Sequence, residues 1–413
     1  VKVIVIGGGV VGTACAHALL EVADEVELLD AGIVGGGASA GNAGWVTPSL
    51  ATPLAAPGIL ATGLRSALDR QGALVIRPRL DTAWVSWLWR FARASRPAAY
   101  HRGVKALLDL TIRSLDELDA MRADGVAFEE HRSGLLAVSR TRDGLHWFET
   151  LFAELVPLGF PGTIDSMGGD EARALEPGVS DAVGWATHAG LDRHVAPQTL
   201  VAGLAARLRE RGATILEHTK ATGLRRVGAG WAVDTPGDER RGDLVVLANA
   251  LGAAALLEPI GLSVPIIGAK GYSVTVQVPD PTPVLPLYLC EVKIGTSPFV
   301  DGTRLAGFFE LGATDDRPRA ARARQLVDET RAYLRAPLPE TIDDAGWAGF
   351  RPATPDSLPL LGPVASAPGL IVATGHGMLG VTLAPATGRA VALLARGERP
   401  SWIEPLDPAR FTR

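Results

Sequence analysis

The 413-residue chain is short of several things, and each shortage excludes a class of protein. It has two cysteines, Cys15 and Cys290, far apart in sequence. No metal cluster can be built from such a pair, and both read as reduced, buried thiols. Basic charge is not in excess: 40 Lys and Arg against 45 Asp and Glu leave a net charge of −5. A nucleic-acid partner, which needs a basic field, is therefore not expected. No apolar run of roughly 18 residues marks a membrane span. No basic, apolar, small-residue pattern of a signal peptide stands before the strand-like Val1–Ile6. The expected location is cytoplasmic, with no membrane span and with peripheral association left open.

What is present is a globular balance of 47% hydrophobic and 21% charged residues. At this length two packed domains are the default. Val1–Ile6 is a β-branched run without alternation, as expected of a parallel strand buried on both faces. A helix over about Val10–Leu20 and a strand over Glu25–Asp30 follow. Gly35–Gly63 is a long stretch of small residues, which in a compact domain is usually functional. Helical patterning runs from about Leu80 to Arg122, where Trp84, Trp87, Leu88 and Phe91 repeat at i, i+3, i+4 and i+7. Such an aromatic stripe reads as a buried helix face.

Further strands are expected at Leu135–Ser139, Thr214–Glu217, Gly223–Val227, Trp231–Thr235 and Asp243–Ala248, with a helix at Pro197–Arg211. Ile266–Val278 and Arg304–Leu311 read as strands of a second, mostly antiparallel sheet, followed by a helix at Pro318–Arg335. Leu370–Ala373 is one more buried strand, and a closing helix is expected from about Pro385 to Ala395. The fold class is thus α/β plus α+β: a Rossmann-type domain interleaved with a substrate domain on a mostly antiparallel sheet with helices. The boundaries read 1–65, 185–255 and 346–413 for the dinucleotide domain, and 66–184 and 256–345 for the other.

Gly7, Gly9 and Gly12 form G-x-G-x-x-G between the first strand and the first helix. The first glycine makes a tight turn, the second lets backbone approach a pyrophosphate, and the third permits close helix–strand packing. The helix N-terminus then faces the anion, with Val10 and Val11 as its first residues. Asp30 ends the second strand, where a carboxylate takes ribose hydroxyls and repels a 2′-phosphate; Ala31 follows it. The motif alone does not separate NAD from FAD, and an NAD-dependent dehydrogenase stays open on it. Downstream, Ala38, Ser39, Asn42, Ala43 and Gly44 are small or hydrogen-bonding residues that let backbone pass over an extended cofactor.

At this point the chain resembles the D-amino-acid oxidase and glycine oxidase superfamily of flavoproteins, most closely bacterial D-amino-acid dehydrogenase small subunits. The resemblance is carried by Gly37–Gly44, Ala51–Gly58, Lys270-Gly271-Tyr272-Ser273, Gly349-Phe350-Arg351-Pro352-Ala353-Thr354-Pro355-Asp356 and Thr374-Gly375-His376-Gly377. In order along the chain, these blocks cover nearly all of it. Asn249-Ala250-Leu251-Gly252 departs from the family's usual small-residue turn, and Leu383–Gly388 is more similar to glycine oxidases. The second departure puts the substrate, rather than the reaction type, in question.

The resemblance implies non-covalent FAD and oxidation of an amine beside a carboxylate. Hydride passes from the α-carbon to flavin N5, and the imine hydrolyses. It implies D-amino acids, or glycine, sarcosine and N-carboxymethyl amines as the alternative, with L-enantiomers excluded. A small carboxylate substrate and oxygen, a quinone or a redox partner as acceptor complete the expectation.

By the same resemblance, Arg351 grips the substrate carboxylate through its planar fork. Tyr272 closes the pocket over the substrate, with core packing as the competing reading, and Met378 completes the catalytic set. Ala250 touches the cofactor, while Gly375, His376, Gly377, Met378, Leu379 and Gly380 present backbone N–H groups to the N1–C2=O edge. His376 itself reads as a packing or hydrogen-bonding group rather than a base. Lys293, with Glu291 nearby, reads as lying on a solvated strand, the alternative being assistance to oxygen.

Overall fold

The computed structural model describes residues 1–59, 72–77, 79, 81–342 and 345–411. The expected positions 60–63 of the small-residue stretch, the boundary at 65 and Leu80 lie outside the described residues. A six-stranded sheet runs in the order 214–216, 25–29, 2–6, 244–247, 370–374, 360–363. Its first five strands are parallel and the last is antiparallel to its neighbour. Val3, Ile4 and Val5 pair with Leu244, Val245 and Val246, and all but Leu244 are fully buried. Unalternated apolar runs do this because helices cover both faces of a parallel sheet. Four separate pieces of chain therefore meet in one sheet.

The helix Val10–Leu19 packs on the closing helix Gly380–Ala395 through small residues. A Cβ on Gly388 would sit 2.5 Å from Ala14 O, so only glycine allows this approach. The closing helix starts at Gly380, five residues before the expected Pro385. Burial of Val381, Thr382, Leu383 and Ala384 outweighs the hydrogen bond a proline removes, which costs about 3 kcal/mol. The stretch Gly377–Ala395 has a mean hydropathy of 1.5 and is long and apolar enough to cross a membrane, contrary to the expectation of no such run; 61% of that window is buried in the fold. Leu383–Gly388 is fully enclosed there and lines no cavity, so its glycine-oxidase character belongs to helix packing.

The second sheet has nine strands, in the order 347–353, 267–276, 302–311, 294–299, 287–289, 135–139, 185–189, 164–168, with 74–76 beside 302–311. Most pairs are antiparallel. The expected two-strand meander gains a third strand, Asp238–Gly242, because Gly237 takes the left-handed turn at φ 90°. Helix Thr82–Ala94 is capped by Asp81, which accepts from Trp84 N at 2.8 Å. Its stripe Trp84, Trp87 and Phe91 is stacked and buried, and Trp87 Nε1 donates to Ala353 O at 3.3 Å.

The loop that carries Thr47 and Leu50 is tied down by Asp192, a fully buried carboxyl whose Oδ1 accepts from Ser49 N at 3.1 Å and whose Oδ2 accepts from Ser49 Oγ. Burial pushes its pKa up to about 7. An unfolded aspartate ionises near 3.9. The folded state is therefore progressively disfavoured as pH rises from about 4 to about 7, by up to roughly 4 kcal/mol at 1.36 kcal/mol per unit. Asp192→Asn keeps the shape and removes the charge. Its gain in Tm over the parent should be larger at pH 8 than at pH 5. A difference in Tm that does not change with pH would show that Asp192 is ionised at both.

Candidate active site

Both sheets open onto one cavity of about 1650 Å³. A pocket for one small ligand is usually about 300–1,000 Å³, so this one has room for a dinucleotide and a substrate together. Its lining includes Gly7, Gly9, Val10, Val11, Asp30 and Ala31, and with them Ala38, Ser39, Asn42, Ala43 and Ala250. Gly375, His376, Gly377, Met378, Leu379 and Gly380 line it at the N-terminus of the closing helix. Sequence-expected residues from five places in the chain thus share one wall.

The glycine cradle has the spacing its chemistry needs. Gly7 sits at φ 111°, and a Cβ there would be 2.6 Å from Ala248 O. A Cβ on Gly12 would overlap Gly7 O, so Gly12 packs helix on strand and does not line the cavity. Where Gly9 lacks a side chain, only Ser39 Oγ comes near, at 3.2 Å, and that space belongs to the cavity. Ser39 Oγ accepts from Val10 N at 3.0 Å. Asp30 accepts from Gly8 N at 2.6 Å and from Gly32 N at 2.7 Å, which fixes both oxygens at the cavity edge. Asn249 Oδ1, also at the wall, is buried with no partner among the described residues, as a group awaiting a ligand donor would be. Ala250 holds a left-handed turn at φ 52°, fastened by Thr374 Oγ1 donating to its carbonyl at 3.0 Å. These features fit a dinucleotide.

Several supports were not visible in sequence. Arg304, almost fully buried, donates to Ala40 O at 3.1 Å and Asn42 O at 2.9 Å, pinning the small-residue loop. Trp347 lies against Gly41, where any Cβ would overlap its ring. Asn42 accepts from Gly44 N at 2.8 Å, and Gly44 itself stays off the cavity, packed against Val195 O. Thr219 and Lys220 line the cavity just after the strand that pairs with the one ending before Asp30. Their position at the carboxyl end of a parallel strand was the available signal.

Arg351 also lines the cavity, from strand Trp347–Ala353 of the second sheet. Its Nη1 donates to Phe308 O at 2.8 Å, and its guanidinium stands 5.6 Å from the Phe309 ring. It has no carboxylate partner among the described residues, and burial pulls its pKa down to about 10, so it stays charged. Two backbone features aim it. Phe308 is in the left-handed region at φ 60°, where the register between strands 267–276 and 302–311 shifts. Strain of this kind, about 1–3 kcal/mol, persists where the surroundings over-determine it. Gly271 leaves the space in which the guanidinium lies, since a Cβ there would overlap it.

Tyr272 is on the other face. It is fully buried in the core with Phe308 and does not line the cavity, so the structure corrects the expectation that it covers a substrate. Alternation along the strand requires this once Gly271 faces the Arg351 guanidinium. Met378 lines the cavity and is 44% exposed. His376 is buried, bonded through Nε2 to Thr387 Oγ1 at 3.0 Å and held neutral by burial, with its pKa lowered to about 3. Lys293 is on the turn before strand Ile294–Phe299 rather than on a strand, and it is exposed, as expected, at the wall of the open cavity.

Comparison with known proteins now places the chain. It matches the FAD dependent oxidoreductase (DAO) family over residues 2–394. It is 33% identical to the D-amino acid dehydrogenase of Cereibacter sphaeroides over 429 residues, covering 98% of this chain and 94% of that protein. Its fold is similar to glycine oxidase from Geobacillus kaustophilus, with a TM-score of 0.78 and 23% identity over 99% of this chain and 98% of that one. It is also similar to L-proline dehydrogenase from P. horikoshii, with a TM-score of 0.72 and 20% identity over 100% and 98%. The last likeness shows that this fold alone does not exclude L-substrates.

The geometry at Gly271 makes a prediction that separates aim from stability. In Gly271→Ala the new methyl meets only the movable end of Arg351. The protein should fold and keep its FAD, with Tm within a few degrees. A guanidinium displaced by about 1 Å should cost on the order of a hundred-fold in kcat/KM. Full activity in this variant would show that the position of Arg351 does not matter.

Proposed function

We propose that this chain, which belongs to the FAD dependent oxidoreductase (DAO) family, oxidises the amine of a D-amino acid. The observation that carries the reading is Arg351: a charged guanidinium without a carboxylate partner among the described residues, lining the same cavity as the dinucleotide cradle. A buried cation is costly unless something compensates it. A substrate carboxylate supplies that compensation and takes the two-point geometry of the fork.

The cradle Gly7, Gly9, Asp30, Ser39, Asn42 and Asn249 would hold FAD, with residues 375–380 beside its redox end. Bound there, FAD supplies the acceptor for the hydrogen and two electrons leaving the substrate carbon, and the imine product hydrolyses in water. The protein's part is orientation. Arg351 fixes the carboxylate, and Phe308 O with Gly271 fixes Arg351. His376, neutral and bonded to Thr387, is no base, and a neutral amine needs none to release hydride. Leu50, Leu54, Phe309 and Met378 give the cavity an apolar surface that discriminates weakly between alkyl groups.

Handedness rests on the relatives named D-amino acid dehydrogenase rather than on the fold. The glycine oxidase likeness keeps N-substituted glycines as the second reading. An anaerobic panel scored by loss of flavin colour tests both. D-alanine or D-proline should bleach it and the L-enantiomers should not. Bleaching by sarcosine alone would transfer the assignment to the second reading, and by L-amino acids alone would refute both. Arg351→Ala should retain FAD and lose about a hundred-fold in kcat/KM, since breaking a buried charged pair costs roughly 3 kcal/mol. Arg351→Lys should recover only part. Unchanged kcat/KM in Arg351→Ala would remove that residue from the site.

A further inference from the structure

Arg351 is not the only cation that lines the cavity. Lys293 occupies the turn between strands Leu287–Leu289 and Ile294–Phe299 in the left-handed region, at φ 57°, which a non-glycine residue adopts rarely. Its ammonium stands 4.9 Å from the centroid of the Trp147 ring and 5.6 Å from that of Tyr288, and both rings line the cavity. Contacts with two aromatic rings favour the charged form. Burial against them, which lowers its pKa, is the opposing effect.

No carboxylate forms an ion pair with Lys293 among the described residues, although Asp30, Glu291 and Glu329 line the same cavity, and Asp30 is taken up by Gly8 N and Gly32 N. Glu291 spends Oε1 on Ser139 Oγ and Arg140 N, and Oε2 on Tyr333 Oη. Glu329 accepts from Gln325 Nε2 at 2.6 Å. The two cations are rooted close together. Lys293 O is 3.7 Å from where a Cβ of Gly307 would stand, and Gly307 precedes Phe308, whose carbonyl holds Arg351. Neighbouring strands lie about 4.8 Å apart.

We propose that Lys293 and Arg351 form a two-point grip for a substrate with a second carboxylate, an inference that rests on the role given to Arg351 above. Arg351 takes the carboxylate beside the reacting carbon through its planar fork. Lys293, a point charge on a flexible stem, takes the distal one. The chemistry is an amine with two acid groups, either an acidic D-amino acid or an N-carboxymethyl amino acid. A neutral D-amino acid satisfies Arg351 and leaves Lys293 with only the charge of Glu291, whose oxygens are already bonded to other groups.

The FAD-loaded protein tests this by binding and by turnover. Tryptophan fluorescence, reporting from Trp45, Trp147 and Trp347 at the cavity wall, gives Kd for acetate, propionate, malonate and succinate. Anaerobic flavin reduction gives the response to D-alanine, D-aspartate, D-glutamate and iminodiacetate. The diacids should bind about ten-fold or more tightly than the monoacids, as expected for a desolvated charge pair. Lys293→Met should bring that ratio close to one and raise KM for the diacid amines more than it lowers kcat, and Lys293→Arg should keep most of the preference. Whichever of D-aspartate or iminodiacetate has the lower KM identifies the source of the second carboxylate. Equal affinity for mono- and diacids in the parent would overturn the proposal. So would a Lys293→Met variant with the ratio intact, or one changed only in reoxidation by oxygen. If no amine bleaches the flavin while the diacid preference persists, amine oxidation is refuted and the two-point grip stands.

Discussion

The site depends on keeping one guanidinium charged, fixed and unpaired inside the protein. Among the described residues Arg351 donates to one carbonyl, that of Phe308, over a gap that only glycine leaves at position 271. A carboxylate from the protein would neutralise it and close the site. A carbonyl aims it while leaving its charge for a ligand. The strained Phe308 and the shifted register beside it are the backbone counterpart of that arrangement. The nine-stranded sheet is what makes it affordable, since it over-determines both strands.

The rest of the architecture brings this guanidinium into one cavity with the glycine cradle. The six-stranded sheet collects its strands from four stretches of the chain, and the pieces between them build the second sheet. The closing helix links the two, because residues 377–382 line the cavity while Val381–Gly388 pack against the first helix. Close contact between Gly388 and Ala14 O therefore sets where residues 377–382 meet the cavity. A relative named D-amino acid dehydrogenase and a structural neighbour named L-proline dehydrogenase share this fold, so the scaffold alone does not set the hand of the substrate, and we assign substrate choice to side chains such as Arg351 and Lys293.

What could be read from sequence was what repeats locally. Buried strands, the glycine spacing, Asp30 and the aromatic stripe are short-range patterns, and the structure has each where it was expected. Arg351 was reached through its motif. Contacts made across the chain were not legible. Nothing near Arg304 signals that it holds the carbonyls of Ala40 and Asn42, more than 260 residues away. Tyr272 went wrong by one residue of alternation, because the face of its strand is set by Gly271 and Arg351 together. Lys293 is exposed as expected, but its place at the cavity wall was not legible because its ring partners, Trp147 and Tyr288, come from a helix and another strand.

The central claim is that Arg351 is the anion-binding group of an FAD site, and one titration tests it directly. Benzoate is a carboxylate with no oxidisable C–H bond beside an amine, so it binds without turnover. Added to the FAD-loaded protein, it should perturb the flavin absorption spectrum saturably. In Arg351→Ala the resting spectrum should be the same and the perturbation lost at concentrations that saturate the parent. Equal benzoate affinity in the two proteins would contradict the account.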